Sequence, residues 1–282
     1  MTSITLKRRI PLGALHGTLS TTISIGVILV VLLATLLAPV IAPADPNQGD
    51  LLNTLAAPSI SHPLGTDSAG RDVLSRLMHG GGTSLLGPLI IVLISTIIGT
   101  AMGLLAGYLG GAIDMILTRI WDLILSFPSL ILAILLVAAF GPGYWSAVGA
   151  LAFLYAPILS RVVRSAVLAE RGKAYVEAAR VQGFSGPRIA FGHILPNVLP
   201  GITAQATLNF GFSLLELAGL TFLGLGVQPP QADWGQMLLS GKEALAYGSF
   251  SEVIAASAVI VAMVVAFNIT GEAFAKKAEG KQ

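Results

Sequence analysis

Apolar residues run in six windows, each long enough to cross about 30 Å of hydrocarbon at about 1.5 Å per helical residue. They are Leu19 to Val40, Leu85 to Tyr108, Leu123 to Phe140, Tyr144 to Ser160, Leu199 to Leu223 and Val253 to Thr270. The pattern predicts six spans. Pro128 and Pro157 interrupt the third and fourth, and "FGPGYW" (Phe140 to Trp145) leaves only a tight turn between them, so a re-entrant hairpin is the alternative there.

The polar stretches between the windows carry their own local signals. In Ala42 to Ser84, Asp67 or Ser68 is placed to cap a short surface helix with Val73, Leu74, Leu77 and Met78 on one face. Leu225 to Phe250 mixes Pro, Gly and Trp as a loop that caps or re-enters a cavity would, with Trp234 expected as an interfacial anchor or part of a gate. The most punctuated island is "YVEAARVQGFSGPRIAFGHILPNVLP", Tyr175 to Pro200. Lys173 to Gln182 reads as a short helix with small residues at Ala178 and Ala179, and Gly183 supplies the left-handed residue that ends it. Ser185 is placed to cap a second helix with Pro187 in its first turn, and "LPNVLP" is expected to stop that helix before the next span. Small side chains beside a turn let another protein approach the backbone closely.

Composition agrees with a membrane protein: 54% hydrophobic residues, 11% charged and a mean hydropathy of +0.83. The absence of cysteine excludes disulfides, thiolate metal sites and cysteine nucleophiles. An excess of only two basic residues gives no footing for nucleic acid. The basic start followed by an apolar run looks like a signal peptide, but Leu19 to Val40 is too long for one and is read as an uncleaved first span.

Where the charges sit is more telling. Lys7, Arg8, Arg9, Arg119, Arg161, Arg164, Arg171, Lys173, Arg180, Arg188, Lys276, Lys277 and Lys281 fall on the side of the termini, and only Arg71, Arg76 and Lys242 fall on the other. The positive-inside rule then places both termini and the Tyr175 to Pro200 island in the cytoplasm. The expected organisation is a cytoplasmic tail 1–18, a permease domain 19–274 with external loops 42–84 and 225–250 and a cytoplasmic loop 161–197, and a tail 275–282.

Glu177, Ala178, Ala179, Gly183, Leu195 and Pro196 reproduce the Glu-Ala-Ala, three residues, Gly, then Leu-Pro pattern of bacterial ATP-binding cassette importer permeases, which this chain resembles. The general pattern has Ile three residues before the Pro, where this chain has His193. "HILPN" at that place is similar to the dipeptide, oligopeptide and nickel branch, as are "HPLGTDSAGRD" (His62 to Asp72) and "LTFLGLGVQPPQADWGQML" (Leu220 to Leu238).

The resemblance implies an all-α polytopic protein of the bacterial inner membrane, half of a path for small peptides or related solutes. It also implies three kinds of partner besides lipid: a paralogous permease, two cytoplasmic ATPases and an external binding protein. Glu177 to Gly183, with Arg180 and Arg188, would ride in a cleft of an ATPase. No cofactor is expected on this chain, because the nearest approach to a phosphate loop, "SGKEAL" at Ser240, lacks the required glycine and hydroxyl. ATP and magnesium belong to the partners.

Glu216 lies inside the fifth window, where a carboxylate ordinarily faces a bundle interior or wet cavity, and Asn209 and Ser213 precede it on roughly that face. These three are the path candidates; Asp67, Arg71, Asp72 and Trp234 are the candidates for the outer loop and gate. His62, Asp67 and His79 lack any element that would converge them on a metal. Gly103, Gly107, Gly110 and Gly111 have the spacing of close helix packing. Two rival readings are an ATP-independent transporter or channel and, more remotely, an intramembrane serine protease using Ser185 and His193.

Overall fold

The computed structural model describes residues 12–279. Ten helices follow in order: α1 (Leu12–Ile41), α2 (Val73–Leu109), α3 (Gly111–Leu125), α4 (Ser129–Phe140), α5 (Tyr144–Arg171), α6 (Ala174–Val181), α7 (Gly186–Ile189), α8 (Leu195–Phe222), α9 (Trp234–Ala244) and α10 (Ser251–Glu279). Lys7, Arg8, Arg9 and Lys281 lie outside the described residues.

Among the described residues, four helices are long and apolar enough to cross a membrane, α1, α2, α5 and α10, and a fifth span is complete if α3 and α4 together make one. Helix α8, at 28 residues, has the length, but Gln205, Asn209 and Glu216 dilute its apolar character. The expected third span, Leu123 to Phe140, is not one helix. It breaks at Ser126 to Pro128, and α3 and α4 meet at 89°. Pro128 disfavours the α conformation in the residue before it and offers no N–H to the preceding turn, so α3 ends there. Pro157 is instead absorbed inside α5.

The core is the α2–α5 pair, the most extensive helix contact in the fold, flanked by α8 and then α10. Gly99, Gly103 and Gly107 of α2, one turn apart, let the two backbones touch. A Cβ at Gly103 would sit 2.6 Å from the Ser160 carbonyl oxygen and from Val163. Gly110 and Gly111, expected beside them, are not packing residues: both have positive φ and make the link from α2 to α3. Helix α1 stands at the margin against α10 and α2, with Leu29, Val30, Leu33, Leu36 and Val40 facing outward.

The separate surface helix expected in 42–84 does not exist. Helix α2 runs unbroken from Val73 to Leu109, through Pro88, and its cap is Asp72 rather than Asp67 or Ser68. Asp72 Oδ2 accepts from Ser75 N and Ser75 Oγ at 2.7 Å each, satisfying a donor that the helix start leaves open. Residues 42–72 fold back over this end, joined by bonds such as Val73 N to Gly65 O and Asp50 N to Gly70 O. The bundle thus has a loop end, with 42–72 and α9, and an α6 end.

Candidate functional site

At the α6 end the chain makes a compact hairpin. Helix α6 closes in a Schellman turn: Phe184 N donates to Ala179 O at 3.1 Å and Gly183 N to Arg180 O at 2.9 Å. Gly183 has φ +80°, the conformation its sequence position predicts. Ser185 is the N-cap residue of α7 but makes no side-chain capping bond, and Pro187 sits in the first turn. The prolines of "LPNVLP" do not stop the following helix. Residues Ala190–Ile194 wind as a π-helix that leads directly into α8. A wider π turn just ahead of Pro196 accommodates its ring and missing N–H, so the helix runs on past Pro200.

One face of the hairpin is sealed onto the bundle. Val176, Ala179, Ile189, Ala190, Ile194 and Val198 form a cluster with Val163 and Val167 of α5 and Leu104 of α2, against which Leu195 packs. Tyr175 Oη donates to Glu170 Oε2 at 2.6 Å, Lys173 Nζ meets Glu170 Oε1 at 2.6 Å, and Asn197 Nδ2 reaches Tyr175 Oη at 3.1 Å. Burial, together with this bond to Glu170, pushes the Tyr175 phenol above its usual pKa. The knot ties the end of α5 to the start of α8. Sequence reasoning missed it, although Glu170 and Lys173 lie three apart, the spacing of a helical ion pair.

The opposite face is open. Glu177, Ala178, Arg180, Gln182, Gly183, Arg188 and Pro196 are exposed, and Val181 is 89% exposed at the tip. Of the two adjacent alanines, Ala179 is sealed in and Ala178 is presented outward. Phe184 is braced between Arg188, whose guanidinium carbon lies 4.5 Å from the ring centroid, and His193, stacked at 5.6 Å. His193 is therefore a packing partner for Phe184. Nearby, Arg164 pairs with Asp114 and Arg161 with Asp122, joining α5 to α3 across sequence gaps that no local pattern reveals.

In α8, Ser129 at the start of α4 donates to Glu216 Oε1 at 2.8 Å, and Glu216 Oε2 is buried without a partner. Asn209 accepts from Gln205 and Ser213 donates to Phe210 O, both within α8. The three path candidates share one helix, but only Glu216 reaches across to another.

At the loop end Asp67 is fully buried and closes the loop. Its Oδ1 accepts from Ala69 N and Arg71 N at 2.9 Å, and its Oδ2 meets Arg71 Nε at 2.7 Å and Arg76 Nε at 3.5 Å. His62 Nδ1 lies 3.0 Å from Asp72 Oδ1, and His79 Nδ1 lies 2.9 Å from Ser75 O. Among the described residues, no group of three His, Asp or Glu could hold a metal. Trp234 is neither a headgroup anchor nor an exposed lid. It is buried, and its Nε1 donates to Leu77 O at 2.8 Å. Asp233 Oδ1 caps α9, and its Oδ2 accepts from Ser84 Oγ at 2.5 Å. Burial raises the Asp233 pKa, opposed by that bond and the capping bonds.

Residues 99–279 match the family of binding-protein-dependent transport system inner membrane components. The chain belongs to that family. The end of α2, and α5, the α6 hairpin, α8 and α10 in full, fall within the matched region. The chain is 46% identical over 214 residues, 76% of this chain and 71% of the relative, to the dipeptide transport system permease protein DppC of Escherichia coli strain K12. It is 39% identical over 220 residues, 78% and 72% of the two chains, to the DppC protein of Alkalihalophilus pseudofirmus. It is also 39% identical over 246 residues, 84% and 81%, to a probable D,D-dipeptide transport system permease protein, DdpC, of Escherichia coli strain K12. An inner membrane component of a transport system needs a path and a means of moving it, and α8 and the hairpin are this chain's candidates for the two.

Proposed function

We propose that this chain is one permease half of an ATP-driven importer of dipeptides or closely related small peptides. A paralogous permease supplies the other half of the path, two cytoplasmic ATP-binding subunits supply the work with their own ATP and magnesium, and an external binding protein delivers the solute. The chain crosses the bacterial inner membrane six times with both termini inside. α1, α2, the bent α3–α4 pair, α5, α8 and α10 are the passes, which puts the hairpin in the cytoplasm and the loop end outside. The distribution of Lys and Arg supports that orientation.

The observation that carries the reading is the two-faced hairpin: apolar and sealed against α5 and α8, but charged and open away from them. Glu177, Ala178, Arg180, Val181, Gly183 and Arg188 form the surface that enters an ATPase cleft. Ala179, Leu195 and Pro196 pass its displacement into the bundle. Because Val176 and Ile189 share one cluster with Val163 and Val167, the hairpin cannot tilt without carrying α5 and α8 with it. Glu216, Asn209 and Ser213 mark the α8 face that changes exposure. Asp67, Arg71, Asp72 and Trp234 hold the outer closure together from within.

The test is a pull-down from native membranes through a tag on this chain, comparing wild type with Gly183→Pro and Glu177→Ala. ATPases should accompany the wild type, and both substitutions should release them or uncouple hydrolysis from peptide delivery. Absence of any ATPase in mild detergent, with no effect of either substitution, would make an ATP-independent transporter the better account.

A further inference from the structure

The loop end contains a cavity of about 520 Å³ between the start of α2, the start of α5 and the α8–α9 connection. That volume lies in the range of small-ligand sites, roughly 300–1,000 Å³. His79, Thr83, Tyr144, Trp145, Gln228 and Gln231 line it, and no Lys, Arg, Asp or Glu does.

The hydrogen bonds of these residues fix what they offer. Gln228 Nε2 donates to Gly224 O at 3.0 Å and Gly226 O at 3.1 Å. Two carbonyls can only accept, so the amide nitrogen must face them and Oε1 is left as an acceptor. His79 Nδ1 faces the Ser75 carbonyl at 2.9 Å and must carry the proton there, so Nε2 of the neutral ring is an acceptor as well. Gln231 Nε2 reaches Thr83 Oγ1 at 3.2 Å, and Tyr144 Oη donates to Thr83 O at 3.0 Å. The Tyr144 hydroxyl and the Gln228 amide nitrogen are thus drawn toward the wall, while Gln228 Oε1 and His79 Nε2 remain as acceptors for a guest. Beside them Trp145 is 65% exposed and sits edge to face with Tyr144, at a centroid distance of 5.0 Å.

Acceptors and an aromatic face, with no cationic group, suit a small cation rich in N–H donors. They do not suit a carboxylate, which would find no cationic partner. We propose that this cavity is a receiving subsite for the amino-terminal ammonium of the transported peptide, donating to Gln228 Oε1 and His79 Nε2 against the Trp145 ring. This rests on the importer reading and adds to it the end of the substrate that this subunit grips first. Neutral acceptors bind the ammonium without the deep well that a carboxylate would make, so the peptide is held at the mouth and can still move on toward α8.

Trp121 and Trp234 are fully buried, so within this chain Trp145 is the tryptophan a solute can reach. The experiment is a tryptophan-fluorescence titration of the whole importer complex in nanodiscs, without the binding protein, using three probes: alanyl-alanine, N-acetyl-alanyl-alanine and alanyl-alaninamide. The dipeptide and its amide should give the same saturable change, absent in Trp145→Phe. Acetylation, which removes the ammonium, should weaken it roughly tenfold or more, as should Gln228→Leu or His79→Phe in a complex that still assembles. Equal affinity for the acetylated probe, or loss of binding on amidation, would overturn the proposal. A flat titration in a complex whose ATPase still responds to peptide-loaded binding protein would sink the subsite and leave the importer reading standing; failure of any ATPase to copurify would sink that reading instead.

Discussion

At the loop end Asp67, Asp72, Arg76, Asp233 and Glu252 are all buried, whereas at the α6 end Glu177, Arg180 and Arg188 all stand exposed. The buried set is paired inside the chain, although Arg76 Nε and Nη2 and Glu252 Oε2 have no hydrogen-bond partner. Asp67 meets two arginines, Asp72 meets His62 and Ser75, Asp233 meets Ser84, and Glu252 Oε1 accepts from Ser240 Oγ at 2.6 Å. The exposed set stands on a hairpin whose inner face packs as an apolar cluster, tied at its edge by the Tyr175–Glu170 bond. A charge buried and paired within its own chain fixes geometry, while charges displayed around a protruding apolar tip are available to another chain. On the proposed reading one end holds its shape and the other is moved from outside, and substitutions at the two ends should then fail in different ways.

The largest effect is expected at the loop end. Asp67→Ala strips the fully buried Arg76 and the neighbouring Arg71 of their shared carboxylate, and breaking a buried pair by removing one partner costs about 3–5 kcal/mol. Thermal unfolding of the purified complex should show that loss, with the ATPase released only as the fold goes. Gly103→Ala, in the core between the two ends, forces a Cβ to within 2.6 Å of the Ser160 carbonyl oxygen, and overpacking of this kind costs about 1–3 kcal/mol. The same melt should fall by less than for Asp67→Ala. Arg161→Ala breaks a half-exposed pair with Asp122 worth about 0.2–1 kcal/mol, and its melting temperature should scarcely move. Glu177→Ala is the smallest in stability, within about 0.5 kcal/mol as for an exposed surface site, yet it should uncouple ATP hydrolysis from uptake. A variant as stable as wild type and as inactive as a misfolded one is what separates the moved end from the fixed one.

Much of the moved end was legible in sequence because its signals are local. Gly183 announced a left-handed turn, Lys173 to Gln182 read as a helix, and the structure has α6 at Ala174–Val181 closing on Gly183. The fixed end was not, because its partners are far apart in the chain. Arg76 bonds to Pro46 O and Pro230 O, 30 and 154 residues away, and Ser84 bonds to Asp233 across 149. Without those contacts Asp67 looked like a helix cap and Trp234 like an interfacial anchor. The cap belongs to Asp72, five residues on, because the loop turns back at Gly65 and Gly70 before α2 begins. Two proline readings also went opposite ways. Pro128 breaks a window that hydropathy alone would join, and Pro196 sits within a helix that proline alone would end, since the π stretch before it makes room. Asn209, Ser213 and Glu216 fall on neighbouring turns by helical spacing, but which of them reaches another helix depended on where α4 lies.

The chain contains no cysteine, so Val181→Cys at the exposed tip of the hairpin introduces a unique thiol into this subunit. The most direct measurement is thiol cross-linking from that position in the intact complex, with and without ATP. The account predicts a cross-link to an ATP-binding subunit whose yield changes through the hydrolysis cycle, and no labelling by a membrane-impermeant maleimide added outside sealed cells. Labelling from outside, or a thiol that stays open to reagent from within and joins no ATPase in any nucleotide state, would contradict it.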